Sequence, residues 1–269
     1  MLEALSLDGK VTIVTGGGTG LGRAMVNALA RAGSNVVIAA RRNKPIEDAA
    51  QEVRDLGRKA LAISADVTDS AQVNSMVTEV LSEFGKVDVL INNAALLLRE
   101  RREPIWDLSD EDWKLGIDAN LTSAFYCARA VAKTMTDRGT GKIINVASGF
   151  ALRGGKDMYT YTCGKGGLIQ LTRTLAISLG PYGVTANSII PGFIPTQVSA
   201  EMRENLSYRE QFIPMGKFPE PCDVGPVAVF LASGGSDYMN GESITVDGGS
   251  LAGGYAPTGY VASTPSGFF

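Results

Sequence analysis

The chain has 269 residues, 45% of them apolar and 20% charged, and a formal net charge of −3. That length supports a sizeable core, and a pI near 5.2 gives no basic field for nucleic acid. There is no histidine, which excludes Ser-His-Asp and Cys-His nucleophiles and any His-based zinc site.

Read in chain order, Met1–Lys10 lacks a long apolar core, so no secretory signal is expected. A β-branched strand spans Val11–Thr15 and runs into Thr15-Gly16-Gly17-Gly18-Thr19-Gly20-Leu21-Gly22. A helix follows over Leu21–Arg31. Glycines let a backbone turn sharply and approach a pyrophosphate, and the helix N-terminus adds amide donors. The spacing is neither G-x-G-x-x-G nor a Walker loop. Its place between strand and helix still makes it a phosphate-binding loop, with Gly16, Thr19, Gly20, Leu21 and Gly22 in contact.

The second strand, Asn35–Ala40, ends in Arg41-Arg42, with no carboxylate before Glu47. An acid there would accept from the adenosine ribose and imply NAD(H). Arginines accommodate a 2′-phosphate, so NADP(H) is favoured and NAD(H) is the alternative. The competing reading of Arg41 and Arg42 is as ordinary solvated charges.

Further strands are expected at Ala60–Ser64, Val87–Ile91, Lys142–Val146, Val184–Ile190 and Ser243–Val246. Helices are expected at Pro45–Leu56, Ser70–Phe84, Ser109–Arg138, Tyr161–Leu179 and Cys222–Ala232. Strand–helix alternation predicts an α/β fold, a single-domain Rossmann-type doubly wound sheet of about seven parallel strands with helices on both faces. Residues 1–250 form the dinucleotide-binding and catalytic domain. Residues 193–220 are a substrate-covering insertion, because long excursions at the C-terminal edge of such sheets lie over ligand sites. The tail 251–269 carries Tyr255, Tyr260, Phe268 and Phe269; it is either disordered or packed over a pocket of its own or a neighbouring subunit.

Acid–base chemistry without histidine falls to Tyr161 and Lys165. Residues four apart share a helix face. A free phenol titrates near ~10, and a nearby cation favours the phenolate and brings it toward the working range. Tyr159 lacks this arrangement, since its i+4 neighbour is Cys163. Ser148 follows a strand and offers a hydroxyl for a substrate oxygen. Cys127, Cys163 and Cys222 are odd in number and widely spaced. They suit a reducing, cytoplasmic location and suggest no metal site, with Cys163 a small helix residue. No apolar run reaches the roughly 18 residues of a membrane span, so no membrane association is expected.

Taken together, Thr15-Gly16-x-x-x-Gly20-x-Gly22, Asp66-Val67, Asn92-Asn93-Ala94-Ala95, Asn120, Ser148, Tyr161-x-x-x-Lys165, Pro191-Gly192-Phe193-Ile194-Pro195-Thr196 and Val246-Asp247-Gly248-Gly249 stand in a characteristic order. From about Lys10 to Gly249 the chain closely resembles the short-chain dehydrogenase/reductase family, in particular its 3-oxoacyl-carrier-protein-reductase-like members. The resemblance implies roles. Tyr161 is the general acid/base, Lys165 tunes it and holds the nicotinamide ribose, Ser148 orients the substrate oxygen, and Asn120 holds a water-linked proton relay. Asp66 and Val67 bind adenine, and Ile194 and Thr196 meet the carboxamide. Asn93, Pro191 and Gly192 complete the cofactor contacts, while Asn92 stabilises the sheet.

The implied reaction is reduction of a ketone or 3-oxoacyl carbonyl, or oxidation of the secondary alcohol, by a homo-oligomer (tetramer or dimer). The partner is then a small-molecule carbonyl or alcohol. Ala95 stands where the family usually has glycine. That variant, with this glycine loop, resembles dienoyl-CoA reductases, which lack the Tyr-x-x-x-Lys pair. Alternatives are therefore an enoyl or dienoyl thioester reductase, or a non-catalytic NADP-binding regulatory protein. Leu96–Pro104, Phe150, Leu152, Arg153, Met158, Phe193, Val198, Met202 and Phe212 are expected to flank the substrate. The reading here is an apolar pocket with cations at its rim, Arg99, Arg101, Arg102 or Arg153, which either meet a carboxylate or carrier phosphate or are simply solvated.

Overall fold

Successive strand residues point to opposite faces of a sheet, and this chain fills both. The computed structural model describes residues 3–96, 104–196 and 205–253. In β2 (Asn35–Ala40), Val36 and Ile38 enter one core while Val37 and Ala39 enter the other. The same alternation holds in β1 (Val11–Thr15), where Val14 and Ile13 divide in this way. With β3 (Ala60–Ser64), β4 (Val89–Asn92), β5 (Gly141–Val146), β6 (Val184–Pro191) and β7 (Ser243–Val246), they form one sheet in the order β3-β2-β1-β4-β5-β6-β7. Every neighbouring pair is parallel.

One face is covered by α1 (Gly20–Arg31), α2 (Asn43–Asp55) and α7 (Gly225–Ala232). Met25, Leu29, Ile46, Val53, Ala228 and Leu231 pack there against Ile38, Ile91 and Ile189. The other face takes α3 (Ser70–Phe84), α5 (Ser123–Asp137) and α6 (Tyr159–Leu179). Val73, Met76, Val131, Met135 and Ala176 bury against Ile13, Leu90, Ile143 and Ala186. No helix of the described residues is long and apolar enough to cross a membrane.

Element boundaries depart from expectation in instructive places. The fourth strand begins at Val89 and not Val87, and Asp88 just before it is buried. Its carboxylate accepts from Val11 N at 2.9 Å and pairs with Arg138 and Lys86. The continuous helix expected over Ser109–Arg138 is α4 (Asp110–Ile117), a π-helical segment Asp118–Thr122, and then α5. α6 starts two residues before Tyr161. The last helix opens as a 3₁₀ turn, Pro221–Val224, because Pro226 cannot donate inside an α-helix.

Strand order reverses between β1 and β4, the place where doubly wound sheets open a crevice at the carboxyl ends of their strands. The tail from residue 254, Val198 and Met202 of the cover, and residues 97–103 lie outside the described residues.

Candidate active site

The crevice begins at the loop after β1. Gly16 has φ +66° and Gly20 φ +53°, the left-handed region that favours glycine. Gly22 has no room for a side chain, since a Cβ would stand 2.6 Å from Asn93 Nδ2 and closer still to Gly16 O. The loop is stitched to the end of β4 from both sides. Asn93 Nδ2 donates to Thr15 O at 3.0 Å and Gly16 O at 3.2 Å, while Thr15 Oγ1 accepts from Asn93 N and Ala94 N. Asn93, expected as a cofactor contact, thus also braces the loop, and Thr15 is the residue that sequence reasoning left without a role.

A cleft of about 680 Å³ runs from this loop toward β2 and β3. Gly16, Thr19, Gly20, Leu21, Gly22, Arg41, Arg42, Asp66, Val67, Asn93 and Thr196 line it, with Ala94, Ala95 and Leu96 on the far wall. Arg41 and Arg42 are exposed at its end and form no ion pair among the described residues. Among the described residues of the lining the one carboxylate, Asp66, accepts through Oδ1 from Thr68 Oγ1 at 2.7 Å and Thr68 N at 3.0 Å. These bonds, and secondarily the Arg41 charge, hold it below the usual carboxylate range. Asp66 does not cap α3. Asp69 does, accepting from Ala71 N and Gln72 N.

Pro191, Gly192, Ile194, Tyr161 and Lys165 stand outside this cleft lining. Pro191 ends β6, Gly192 N donates to Val246 O at 2.9 Å, and Ile194 packs against the core. Thr196 returns over the glycine loop, 3.2 Å from where a Gly20 Cβ would be. The residues present therefore fit a dinucleotide. The glycine loop has bare backbone, the adenosine end carries two arginines, and its one carboxylate is already engaged.

Beyond β5 the chain turns through Ser148, whose Oγ accepts from Phe150 N at 3.2 Å and caps a 3₁₀ turn, Gly149–Ala151. Phe150 meets the Tyr161 ring edge-on, with centroids 6.3 Å apart. Lys165 lies one helical turn on, its ammonium 6.0 Å from the Tyr161 ring centre. It is 2% exposed, and Nζ donates to Val146 O at 2.7 Å, which ties α6 to the end of β5. Burial lowers its pKa to about 8, so the group is still mainly cationic at neutral pH.

Tyr159, set aside at the sequence level, hydrogen-bonds Asp157 Oδ1 at 3.3 Å. Its pKa is raised, first by desolvation and then by the Asp157 charge. That is the wrong direction for a base.

Asn120 sits in the π-helical segment, buried to 1%. Its Nδ2 donates to Leu96 O at 2.8 Å and Gly116 O at 2.9 Å, and its Oδ1 accepts from Leu96 N. π-segments inside α-helices are frequent at functional sites. Here the widened turn lets Asn120 reach Leu96.

The tight approach of α6 was not read from the sequence. A Cβ on Gly164 would lie 2.7 Å from Asn120 Cβ, and one on Gly116 would meet Thr160. Two glycines in helix interiors, where propensity disfavours them, were the available signal. We expect Gly164→Ala to lower stability by about 1–3 kcal/mol through overpacking. Displacing Asn120 and Lys165 should lower kcat at least ~10-fold, as small misplacements in active sites do. Thermal denaturation and steady-state kinetics would check both, and an unchanged kcat would remove Gly164 from the machinery.

Asn145 was likewise missed, whereas Asn92 was expected to stabilise the sheet. Asn92 Nδ2 donates to Asn145 Oδ1 at 2.9 Å, and Asn145 Nδ2 to Thr172 Oγ1 at 2.8 Å. This chain clamps β4, β5 and α6 beneath the site. Asparagine is depleted in strands, and that was its signal.

The excursion after β6 is described over 193–196 and 205–220. Phe193 packs edge-on to Phe218 at 5.5 Å, Arg209 stacks over Phe193, and Pro214 rests on Gly249. Phe212 lies within its 3₁₀ turn, Ser207–Phe212.

Comparison with known proteins agrees with this architecture. The family model described as "Enoyl-(Acyl carrier protein) reductase" matches residues 16–250. The 2-dehydro-3-deoxy-D-gluconate 5-dehydrogenase of Escherichia coli (strain K12) is 38% identical, over 94% of this chain and 99% of its own length. The 3-oxoacyl-[acyl-carrier-protein] reductase of Synechocystis sp. is 36% identical, over 91% and 98%. A solved structure from Agrobacterium tumefaciens with bound NADP, of a candidate 2-deoxy-D-gluconate 3-dehydrogenase, gives a TM-score of 0.83 at 34% identity, covering 93% of this chain and 99% of that one. The chain belongs to the short-chain dehydrogenase/reductase family.

Proposed function

From this membership and the geometry above, we propose that the chain is an NADP(H)-dependent oxidoreductase that interconverts a secondary alcohol and its ketone, with Tyr161 as general acid/base. The observation that carries the reading is the placing of a buried Lys165 one helical turn from Tyr161, its ammonium 6.0 Å from that ring and held on Val146 O at the end of β5. Gly16, Thr19, Gly20, Leu21, Gly22, Asp66, Val67 and Asn93 would hold the adenosine and pyrophosphate. Arg41 and Arg42 would take the 2′-phosphate. Pro191, Gly192, Ile194 and Thr196 would flank the nicotinamide, with its ribose on Tyr161 and Lys165. When bound, the nicotinamide supplies or accepts the hydride.

In reduction, Tyr161 gives its phenolic proton to the carbonyl oxygen as hydride reaches the carbonyl carbon. In oxidation it takes the hydroxyl proton as hydride leaves that carbon. Ser148 donates a hydrogen bond to the oxygen on which charge develops. Lys165 favours the phenolate by its charge. Asn120, held on Leu96 and Gly116, positions the proton relay. The excursion after β6, where Phe193 packs on Phe218, would cover the substrate.

The family model's description favours a second reading, reduction of an enoyl thioester. The Tyr161-x-x-x-Lys165 pair weighs against it, since the dienoyl-CoA reductases that the glycine loop and Ala95 resemble lack that pair.

The first test is a fluorescence titration with NADPH and NADH, with Arg41→Ala beside the native chain. NADPH is expected to bind at least ~10-fold tighter, and the variant to lose most of that margin, the scale of a charge-assisted contact. A panel of secondary alcohols with NADP⁺ and enoyl thioesters with NADPH should then turn over the alcohols. NADH preference, or turnover of enoyl thioesters alone, would overturn the corresponding half of the reading.

A further inference from the structure

Phe150 touches both of the side chains assigned to the substrate oxygen. Its backbone N–H donates to Ser148 Oγ at 3.2 Å, and its ring meets the Tyr161 ring at 76°, with centroids 6.3 Å apart. The backbone half of this link is closed by hydrogen bonds. Ala151 N donates to Ser148 O at 2.8 Å and Leu152 N to Gly149 O at 3.2 Å, which completes the 3₁₀ turn and fixes Phe150 relative to Ser148. The ring half is packed on by the turn that leads into α6. A Cβ on Gly155 would stand 2.9 Å from Phe150 Cε1 and 2.9 Å from Met158 Sδ. Met158 is buried, and its carbonyl accepts from Thr162 N and Thr162 Oγ1 in the first turn of that helix. The Arg153 guanidinium stacks on the same ring, 4.3 Å from its centroid.

We propose that Phe150 is a positioning residue that sets the distance and angle between the Ser148 hydroxyl and the Tyr161 phenol, so that both meet one substrate oxygen. The proposal rests on the alcohol–ketone reading of the site with Tyr161 as acid/base. Ser148 and Tyr161 stand on different elements, the end of β5 and α6, and Phe150 spans them. A hydroxyl has one hydrogen to give. Because Ser148 Oγ accepts from Phe150 N, its own hydrogen is left for the substrate oxygen.

The phenolic oxygen sits at the far end of a ring that pivots near its Cβ. Catalytic groups must be held within about 0.5 Å and 10–20° of the productive geometry. The hydrogen bond from Lys165 to Val146 O fixes the cation and leaves the tyrosine ring to be fixed by packing. An aromatic edge contact does that with a preferred angle, which an aliphatic side chain lacks.

The test begins with NADP⁺ and four secondary alcohols: cyclohexanol, 2-butanol, xylitol and 3-hydroxybutyrate. On the best of them, Phe150→Leu, Phe150→Tyr and Gly155→Ala are compared with the native chain, with an NADPH titration and a thermal midpoint for each. Phe150→Leu should lower kcat about 10- to 100-fold, the scale of a misplaced catalytic group, and leave KM and NADPH affinity within about 3-fold. Phe150→Tyr keeps the ring and should recover most of that loss. Gly155→Ala presses a methyl group on the same ring and should lower kcat about 10-fold. It reads the contact even where Phe150→Leu does not fold. In the Tyr161→Phe chain, Phe150→Leu should cause no further fall in the residual kcat, since no phenol remains to be placed.

An unchanged kcat in Phe150→Leu or in Gly155→Ala would overturn the proposal. So would a loss carried by KM that differs from one alcohol to the next, which would make Phe150 a wall of the substrate pocket. An equal fall in kcat with and without the Tyr161 hydroxyl would make it a structural residue. Turnover that survives Tyr161→Phe, or no turnover of any alcohol by the native chain, would instead sink the underlying reading of function, and this assignment with it.

Discussion

Tyr161→Phe is expected to lower kcat for alcohol oxidation about a thousandfold while NADPH still binds and the fold is retained. The size follows from losing a positioned acid/base group, whose contribution is typically ~10²–10⁴-fold. The variant keeps the ring, so the edge-on contact with Phe150 survives and only the hydroxyl is lost. Among the described residues no other side chain beside it is placed to replace it. The chain has no histidine, Tyr159 is committed to Asp157 with its proton held more tightly, and Lys165 is buried against Val146 O.

The measurement is steady-state kinetics with a fluorescence titration of NADPH on the same preparation. Loss of turnover with intact binding supports Tyr161 as the proton donor and acceptor. Equal activity on an enoyl thioester in both forms would favour the C=C reductase. Cofactor binding without turnover in the native chain would favour the regulatory protein.

The sequence made the backbone plan readable because the plan is local. Strands that bury both faces are continuous β-branched runs, and the glycine loop and the i, i+4 pair are each spaced along one segment.

What could not be read depends on contacts between distant segments. The π-turn at Asp118–Thr122 looks like ordinary helix in sequence, and only the Leu96 backbone explains its widening. Gly164 reads as a weak helix residue until Asn120 is seen against it. The Asn92–Asn145–Thr172 chain joins three elements, and of its residues the sequence reading reached only Asn92. Asp157, at φ +55°, is a left-handed non-glycine residue just before α6, a conformation that sequence does not announce.

Lys165→Met separates catalysis from stability more sharply than any other substitution here. Burial lowers the Lys165 pKa from 10.5 to about 8 in the folded chain. Below about pH 8 both folded and unfolded chains hold the proton, and the folded state bears the full cost of the buried charge, about 3 kcal/mol. Between about pH 8 and 10.5 the unfolded chain still binds a proton that the folded one has shed. The lysine's contribution to stability therefore rises with pH through that window.

Methionine has no such term, but it leaves Val146 O without its donor, at about 1–3 kcal/mol. The variant is accordingly expected to match or slightly exceed the native thermal midpoint at pH 7, and to fall below it as the pH passes from about 8 toward 10.5. Its kcat should drop at least ~100-fold, since the phenol loses the cation that favours its ionised form. Differential scanning calorimetry across that range, with kinetics at pH 7, tests both halves. A stability difference that does not move with pH would mean that the lysine is not desolvated as the structure has it. Retained activity would mean that its charge does not act on Tyr161. On the proposed reading, a buried ammonium that weakens the fold near neutrality is kept for its effect on the tyrosine one helical turn away.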